Sequence, residues 1–181
     1  VDDLTHVDLF SCFPVAVQVG AAELGLDLDR QLTLTGGLAF AGGPWNNYVM
    51  HSIAAMVEAL RSDGGTGLVW ANGGYLTKHA FGVYTSVAPA HGFRHVHPQD
   101  EIDALPARDV AADHDGPATI ESWVVMHDRD NRPERAFVAL ITDDGRRAWG
   151  ATDDAGALAT MVDEDMIGRR VTRAADGTVA L

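Results

Sequence analysis

A segment without any hydrophobic period, residues 88–117, divides the sequence into two stretches of different character. It contains four prolines and four histidines. Proline interrupts helices and central strands, so this segment is expected to connect two units, with one short helix near residues 99–105. We therefore predict a first domain over residues 1–87, a linker over residues 88–117 and a second domain over residues 118–181.

The charge is unevenly distributed between the two ends of the chain. The 181 residues carry a formal net charge of −13, with 8 acidic and 4 basic residues in positions 1–99 and 18 acidic and 9 basic residues in positions 100–181. Nucleic acids and anionic membrane surfaces attract clustered cations. We therefore expect neither to be a partner.

Other features of the sequence indicate the cellular compartment of the protein. No apolar run approaches the roughly 20 residues of a membrane-spanning helix, and the first residues lack the pattern of a signal peptide. The single cysteine excludes a disulfide framework and fits a reducing compartment. These observations predict a cytoplasmic protein.

Strands and helices alternate in the first stretch. Apolar runs predict short strands at residues 7–10, 31–35, 67–71 and 80–84, and helical periodicity predicts helices over residues 14–25 and from near residue 47 to residues 62–65. Pro14 suits the first turn of the first helix and Gly25 its C-cap. The alternation is typical of an α/β layer with a mostly parallel sheet. The last two strands are close enough to pair as a hairpin.

The second stretch is rich in β signals. Strands are predicted near residues 119–126, 136–141, 147–150, 170–172 and 178–181, with a helix over residues 155–162 capped by Asp153 and Asp154. This pattern predicts a small, mainly antiparallel β domain with one helix, of OB-like or split β-α-β type. Because its acids outnumber its bases, packing against the first domain or docking a protein partner fits better than nucleic-acid binding.

Three loops follow predicted strands in the first stretch: residues 11–14, 42–44 and 72–74. Ligand sites in α/β sheets collect where strands end, and glycine lets a backbone approach a ligand closely. For any single glycine pair, ordinary turn chemistry is the better explanation. From the loops together we predict substrate contacts by Ser11, Gly42, Gly43, Asn72, Gly73 and Gly74.

The same loops carry a resemblance to a known family. Residues 8–13, 36–44 and 72–79 read DLFSCF, GGLAFAGGP and NGGYLTKH. In order and spacing they resemble the C-terminal half of a thiolase, and more closely the acetyl-CoA acetyltransferase-like branch called thiolase-like protein type 1. Residues 118–181 resemble the additional C-terminal domain of that branch. The resemblance implies a thiolase-superfamily fold with two similar halves, the C-terminal one incomplete here, and CoA or acyl-CoA as the substrate.

The resemblance also implies three site motifs: an Asn-Glu-Ala-Phe or His-Asp-Cys-Phe loop, a Gly-His-Pro loop and a Cys-x-Gly loop. Thiolases use them to hold the oxyanion, activate the nucleophile and exchange the α-proton. This sequence has Phe10 at the Asn/His position, Ser11 at the acid position, Gly43 at the His position and Ala71 at the Cys position. Gly43 cannot accept a proton and Phe10 cannot donate to an oxyanion. Standard thiolase chemistry is therefore not expected of these motifs.

Two groups remain as catalytic candidates. His79 could replace the lost histidine as an acid/base, and its neighbour Lys78, the only lysine, could meet a CoA phosphate; the alternative for both is a polar strand edge. Cys12 precedes a helix N-terminus, which stabilises a thiolate. Its alternative is a small buried apolar residue, and the resembling families place their nucleophile in the other half.

No metal site is predicted. His91, His95 and His97 lie in the proline-containing segment, where no helix or strand aims them at one point. His51 lies one turn into a predicted helix and is expected to be partly buried. Residues 128–131 lack the downstream Gly and Glu of a calcium loop.

Two functions stay open. The first is the C-terminal fragment of a thiolase-superfamily acyl-CoA acyltransferase, inactive alone, whose partner is the missing N-terminal half. The second is a non-catalytic thiolase-like protein that binds acyl-CoA or acts as a scaffold. We expect no bound cofactor, and either a homo-oligomer or another protein partner covering an exposed face of the sheet.

Overall fold

The computed structural model describes Val1 and residues 3–181 and has a mixed α/β fold with two sheets. The chain divides into two compact units, Val1–Val96 and His97–Leu181. The division falls inside the segment predicted as a linker. Residues after it belong to the second unit, where Ala111 is fully buried in the core and Val110 forms a parallel bridge with Arg147.

The first unit contains a three-stranded sheet in the order β1-β2-β3. Its strands are β1 (His6–Asp8), β2 (Thr66–Gly73) and β3 (Lys78–Thr85). β1 runs parallel to β2, and β2 pairs antiparallel with β3 through the predicted hairpin. The sheet is thus mixed rather than mostly parallel.

The strand predicted at residues 31–35 does not form, and this prediction was wrong. The backbone N–H groups of Leu34 and Thr35 donate instead to Oδ2 of Asp8, at 2.8 and 3.1 Å. A buried carboxylate on β1 therefore takes the place of a neighbouring strand as their acceptor. Alternation of apolar and polar residues does not reveal such a partner.

The helices of the first unit are α1 (Pro14–Leu24), α2 (Leu38–Ala41) and α3 (Tyr48–Asp63), with a 3₁₀ turn over Trp45–Asn47. α1 begins on proline and ends at Gly25, whose φ of 64° lies in the left-handed region. α3 ends before Gly64, with φ of 75°. Both ends were predicted correctly because their signals are local.

α1 lies directly against the indole of Trp70, which is 3% exposed. A Cβ on Gly20 of this helix would come within 2.5 Å of that ring. Only a residue without a side chain allows the helix to approach so closely. Gly20 thereby fixes Trp70 in the core, together with Val7 and Leu9.

The second unit is built on a five-stranded antiparallel sheet in the order β6-β5-β4-β7-β8. The strands are β4 (Gly116–His127), β5 (Pro133–Thr142), β6 (Arg147–Thr152), β7 (Arg170–Arg173) and β8 (Val179–Ala180), and the helices are α4 (Gln99–Asp103) and α5 (Ala155–Asp163). Asp154 caps α5 by accepting from Ala157 N at 2.8 Å. The mainly antiparallel domain is as predicted, whereas neither the OB-like nor the split β-α-β description is confirmed.

Arg173 joins the residues before β4 to the sheet of the second unit. Its side chain is 6% exposed, and its guanidinium donates to the carbonyl oxygens of Trp149 at 2.7 Å, Ala112 at 2.9 Å and His114. Charge-assisted hydrogen bonds to carbonyl groups offset the cost of burying the cation. The segment around residues 112–114 is thus fixed to this unit.

In the part of the chain that the structure describes, every helix is too short or too polar to cross a lipid bilayer.

Candidate functional site

A cleft of about 740 Å³ opens in the first unit where the chain leaves β1 and β2. Three segments form its walls: the loop after β1 with Cys12, the 3₁₀ turn with Trp45 and Asn46, and the β2–β3 turn with residues 72–76. The structure thus brings together the first and third loops singled out in the sequence. The second loop, residues 42–44, leads directly into the 3₁₀ turn, which forms the second wall segment.

The walls of the cleft are apolar and neutral. None of the described side chains that line it carries a charge at neutral pH, and its neutral polar side chains are Cys12, Asn46, Tyr48, Asn72 and Tyr75. Pockets of this kind bind ligands that are largely apolar and carry a few neutral polar groups. A ligand's phosphate groups would have to lie outside the cleft.

Cys12 and Asn72 are in contact with each other in the walls of the cleft. Nδ2 of Asn72 donates to Sγ of Cys12 at 3.7 Å, and Cys12 is half-buried. Oδ1 of Asn72 is buried and has no hydrogen-bond partner among the described residues. A cysteine nucleophile requires a neighbouring base, and the described walls contain an amide here instead.

Aromatic rings occupy the floor of the cleft. Tyr48 is 1% exposed, and the ring of Phe10 meets it edge to face at 5.4 Å. The Tyr48 hydroxyl points away into a hydrogen bond with Thr35 Oγ1 at 2.7 Å. The position at which the resembling families carry Asn or His is therefore part of a ring-on-ring contact.

Asp8 stabilises this floor from behind. Its carboxylate is fully buried and accepts from Ser52 Oγ at 2.7 Å and from Thr35 Oγ1 at 3.3 Å, besides the two backbone donors described above. One side chain thus connects β1, the turn before α2 and α3. Asp8 was not predicted to have this role, although an acidic residue inside an apolar strand is a signal for a buried polar partner.

Ser11, Gly42 and Gly43 do not line the cleft. Ser11 Oγ accepts from Leu38 N at 3.0 Å at the start of α2, and Gly42 N donates to Leu38 O at 3.0 Å at its end. These residues hold the short helix α2 in place. Of the predicted substrate contacts, the described walls contain Asn72, Gly73 and Gly74.

His79 and Lys78 also lie outside the walls of the cleft. Lys78 begins β3 opposite Gly73 and is exposed. His79 Nδ1 accepts from Trp70 Nε1 at 3.1 Å, and His79 Nε2 pairs with Leu76 O at 3.0 Å. Both ring nitrogens are therefore engaged with the protein itself.

The remaining histidine candidates do not form a metal centre. His51 lies edge-on to Tyr48 at 6.4 Å. Across the described residues, which include His91, His95 and His97, no three His, Cys, Asp or Glu side chains converge on a point that could hold a metal ion.

Comparison with known proteins finds a family model and solved structures that match this chain. Residues 98–178 match the family model of the thiolase-like protein type 1 additional C-terminal domain. The crystal structure of a monomeric SCP2-thiolase-like protein type 1 from Mycobacterium smegmatis superposes with a TM-score of 0.87 at 35% sequence identity, over 99% of this chain and 41% of that protein. No curated protein sequence matches.

The two matches support each other. The family model covers most of the second unit, while the structural match extends over both units and supplies the thiolase-like fold of the first. The chain spans 41% of the length of that solved relative. The chain belongs to the thiolase-like protein type 1 family.

Proposed function

We propose that this chain forms part of an acyl-CoA-binding site that holds the acyl thioester without the acid/base chemistry of a thiolase. The observation that carries the proposal is the neutral, apolar cleft at the meeting point of the motif loops. Two of its lining residues are Phe10, at the motif position for Asn or His, and Ala71, at the motif position for Cys. Both have hydrocarbon side chains. The thiolase-like arrangement of loops is kept, and the polar groups are replaced.

The chemistry of the walls matches an acyl thioester. An acyl chain buries apolar surface against the aromatic floor, with a gain of about 25 cal/mol per Å². The amides of Asn46 and Asn72 offer neutral hydrogen-bonding groups to a thioester or an amide of the pantetheine arm. The exposed ammonium of Lys78, at the end of the β2–β3 turn, supplies a cation for a phosphate outside the cleft.

A second candidate function is an acyltransferase in which the rest of a longer protein supplies the nucleophile and the base. The 41% coverage of the solved relative favours this alternative. In this case the chain acts in the cytoplasm as the C-terminal part of the protein, and its partner is an N-terminal thiolase-like half. His79 or Cys12 would then be the contribution of this chain to catalysis.

The two candidates are separated by measuring binding and turnover on the full-length protein. Titration with decanoyl-CoA reports binding, and acetoacetyl-CoA thiolysis reports chemistry. Binding without thiolysis supports the proposal, and thiolysis that His79→Ala abolishes would overturn it. Ala71→Leu, which fills the cleft, is expected to weaken decanoyl-CoA binding at least about tenfold, whereas the surface control Asp130→Asn leaves it unchanged.

A further inference from the structure

We infer that His79 is a positioning residue that holds the β2–β3 turn as a wall of the cleft and does not transfer protons. This role rests on the proposed function only in that its effect on the cleft is measured with decanoyl-CoA. The imidazole makes two hydrogen bonds, one to a core residue and one to the turn, and the turn forms part of the cleft wall.

The two partners of His79 fix the tautomer of its ring. The indole N–H of Trp70 can only donate, so Nδ1 must be the acceptor of the 3.1 Å bond. The carbonyl oxygen of Leu76 can only accept, so Nε2 must carry the proton in the 3.0 Å bond. The two bonds are therefore made by the tautomer that carries its proton on Nε2. A role as acid or base would require the ring to give up one of these bonds.

The bond to Leu76 acts on a strained point of the wall. Leu76 has a φ of 59°, which places a branched side chain in the left-handed region. Its side chain lines the cleft and packs against the core cluster around Trp70. A donor to its carbonyl oxygen holds the peptide plane in this orientation. Without that donor, the turn would relax toward a more ordinary conformation.

The imidazole is itself exposed, and its other side is attached to the core through Trp70. Its ring stacks on Trp70 with centroids 5.7 Å apart, and Trp70 in turn stacks on Phe81 at 6.2 Å. The indole is held against α1 at Gly20, as described above. The imidazole thus joins a rigid element of the core to the backbone of the cleft wall. This continuity distinguishes a positioning role from that of a polar residue at a strand edge.

A matched pair of variants separates hydrogen bonding from ring packing. His79→Phe keeps the stacked ring and loses both hydrogen bonds, whereas His79→Gln loses the ring and keeps a donor near the position of Nε2. We expect the His79→Phe variant of the full-length protein to bind decanoyl-CoA about tenfold more weakly than the unmodified protein does. We expect His79→Gln to bind within about threefold of the unmodified protein, because its bond to Leu76 survives. Normal binding by His79→Phe with a loss in His79→Gln would overturn the inference.

A measurement without ligand keeps the inference separate from the proposed function. In ¹⁵N spectra of the imidazole at neutral pH we expect an unprotonated Nδ1 and a protonated Nε2. Amide exchange over residues 74–77 should quicken in His79→Phe and stay near normal in His79→Gln. If decanoyl-CoA fails to bind the unmodified protein, the proposed function fails while these two signals still decide the role of His79. A proton on Nδ1, or unchanged amide exchange in His79→Phe, would contradict the positioning role of His79.

Discussion

The two units of the chain use their buried residues differently. The second unit has one continuous buried cluster that includes Ile120, Val138 and Leu140. The first unit divides its core between a cluster around Trp70 and another around Met56, and the cleft opens between its loops. In the first unit the same contacts support the fold and the walls of the site. In the second unit, none of the described core residues lines this cleft.

This difference predicts two kinds of mutational response. A core change in the second unit should lower stability and leave ligand affinity as it was. A core change in the first unit should lower both.

Leu140→Ala removes a fully buried side chain from the second unit. We expect a loss of about 3 kcal/mol in the free energy of unfolding of this unit, from lost burial and the cavity that remains. Chemical denaturation measures the loss, with Leu105→Ala as the exposed control. Affinity for decanoyl-CoA should stay within about twofold at temperatures where the protein is folded. A tenfold drop would remove the distinction between the units.

Asp8→Asn tests the first unit behind the floor of the cleft. The amide group turns one acceptor oxygen into a donor, so at least one of the donors from Thr35 and Ser52 loses its partner. We expect a loss of about 2 kcal/mol in stability. Because the same network holds Tyr48 through Thr35, decanoyl-CoA binding should weaken as well. Reduced stability with unchanged affinity would show that the network does not position the floor.

Gly20→Ala tests the contact between α1 and Trp70. The added methyl group meets the indole ring, and we expect a loss of about 1–3 kcal/mol from overpacking. The displaced indole should also disturb the imidazole signals of His79. The matched control is Ala22→Gly, a change of the same size on the exposed side of α1, which should leave those signals in place.

Acid titration gives the smallest expected effect and concerns the second unit alone. Hydrogen bonds from Thr142 and Arg146 lower the pKa of Asp144 to about 2. Because this folded-state pKa lies below the ordinary value, the carboxylate stabilises the fold above about pH 4 and loses this effect as the pH falls toward 2. Asp144→Asn should therefore lose less stability between pH 4 and pH 2. The side chain is exposed, so the difference is small, and equal acid sensitivity in both proteins would contradict it.

Local signals explain which parts of the fold were predictable. Pro14 and Gly25 mark the ends of α1, and a short glycine-containing turn marks the β2–β3 hairpin, so both follow from neighbouring residues. The absent strand at residues 31–35 depends on Asp8, whose carboxylate is 26 residues away from Leu34 in the sequence. α2 has four residues, which is too few to show a helical period.

The sequence predicts which loops after β1 and β2 form the site, but not which side chains face the cleft. That the residues after β1 and β2 meet follows from the general geometry of α/β sheets. Which side chains face the cleft depends on backbone angles that propensities do not supply, such as the φ of 50° at Trp45. The sequence singled out His79 by its chemistry. Its bond to the indole depends on cross-strand geometry in the hairpin.

The most direct test of the account is one calorimetric titration of the full-length protein with decanoyl-CoA, followed by an acetoacetyl-CoA thiolysis assay on the same sample. The neutral cleft predicts saturable binding that Ala71→Leu weakens and no thiolysis above the uncatalysed rate. Absence of binding, or thiolysis that depends on His79, would contradict the proposal that this family member holds acyl-CoA without thiolase chemistry.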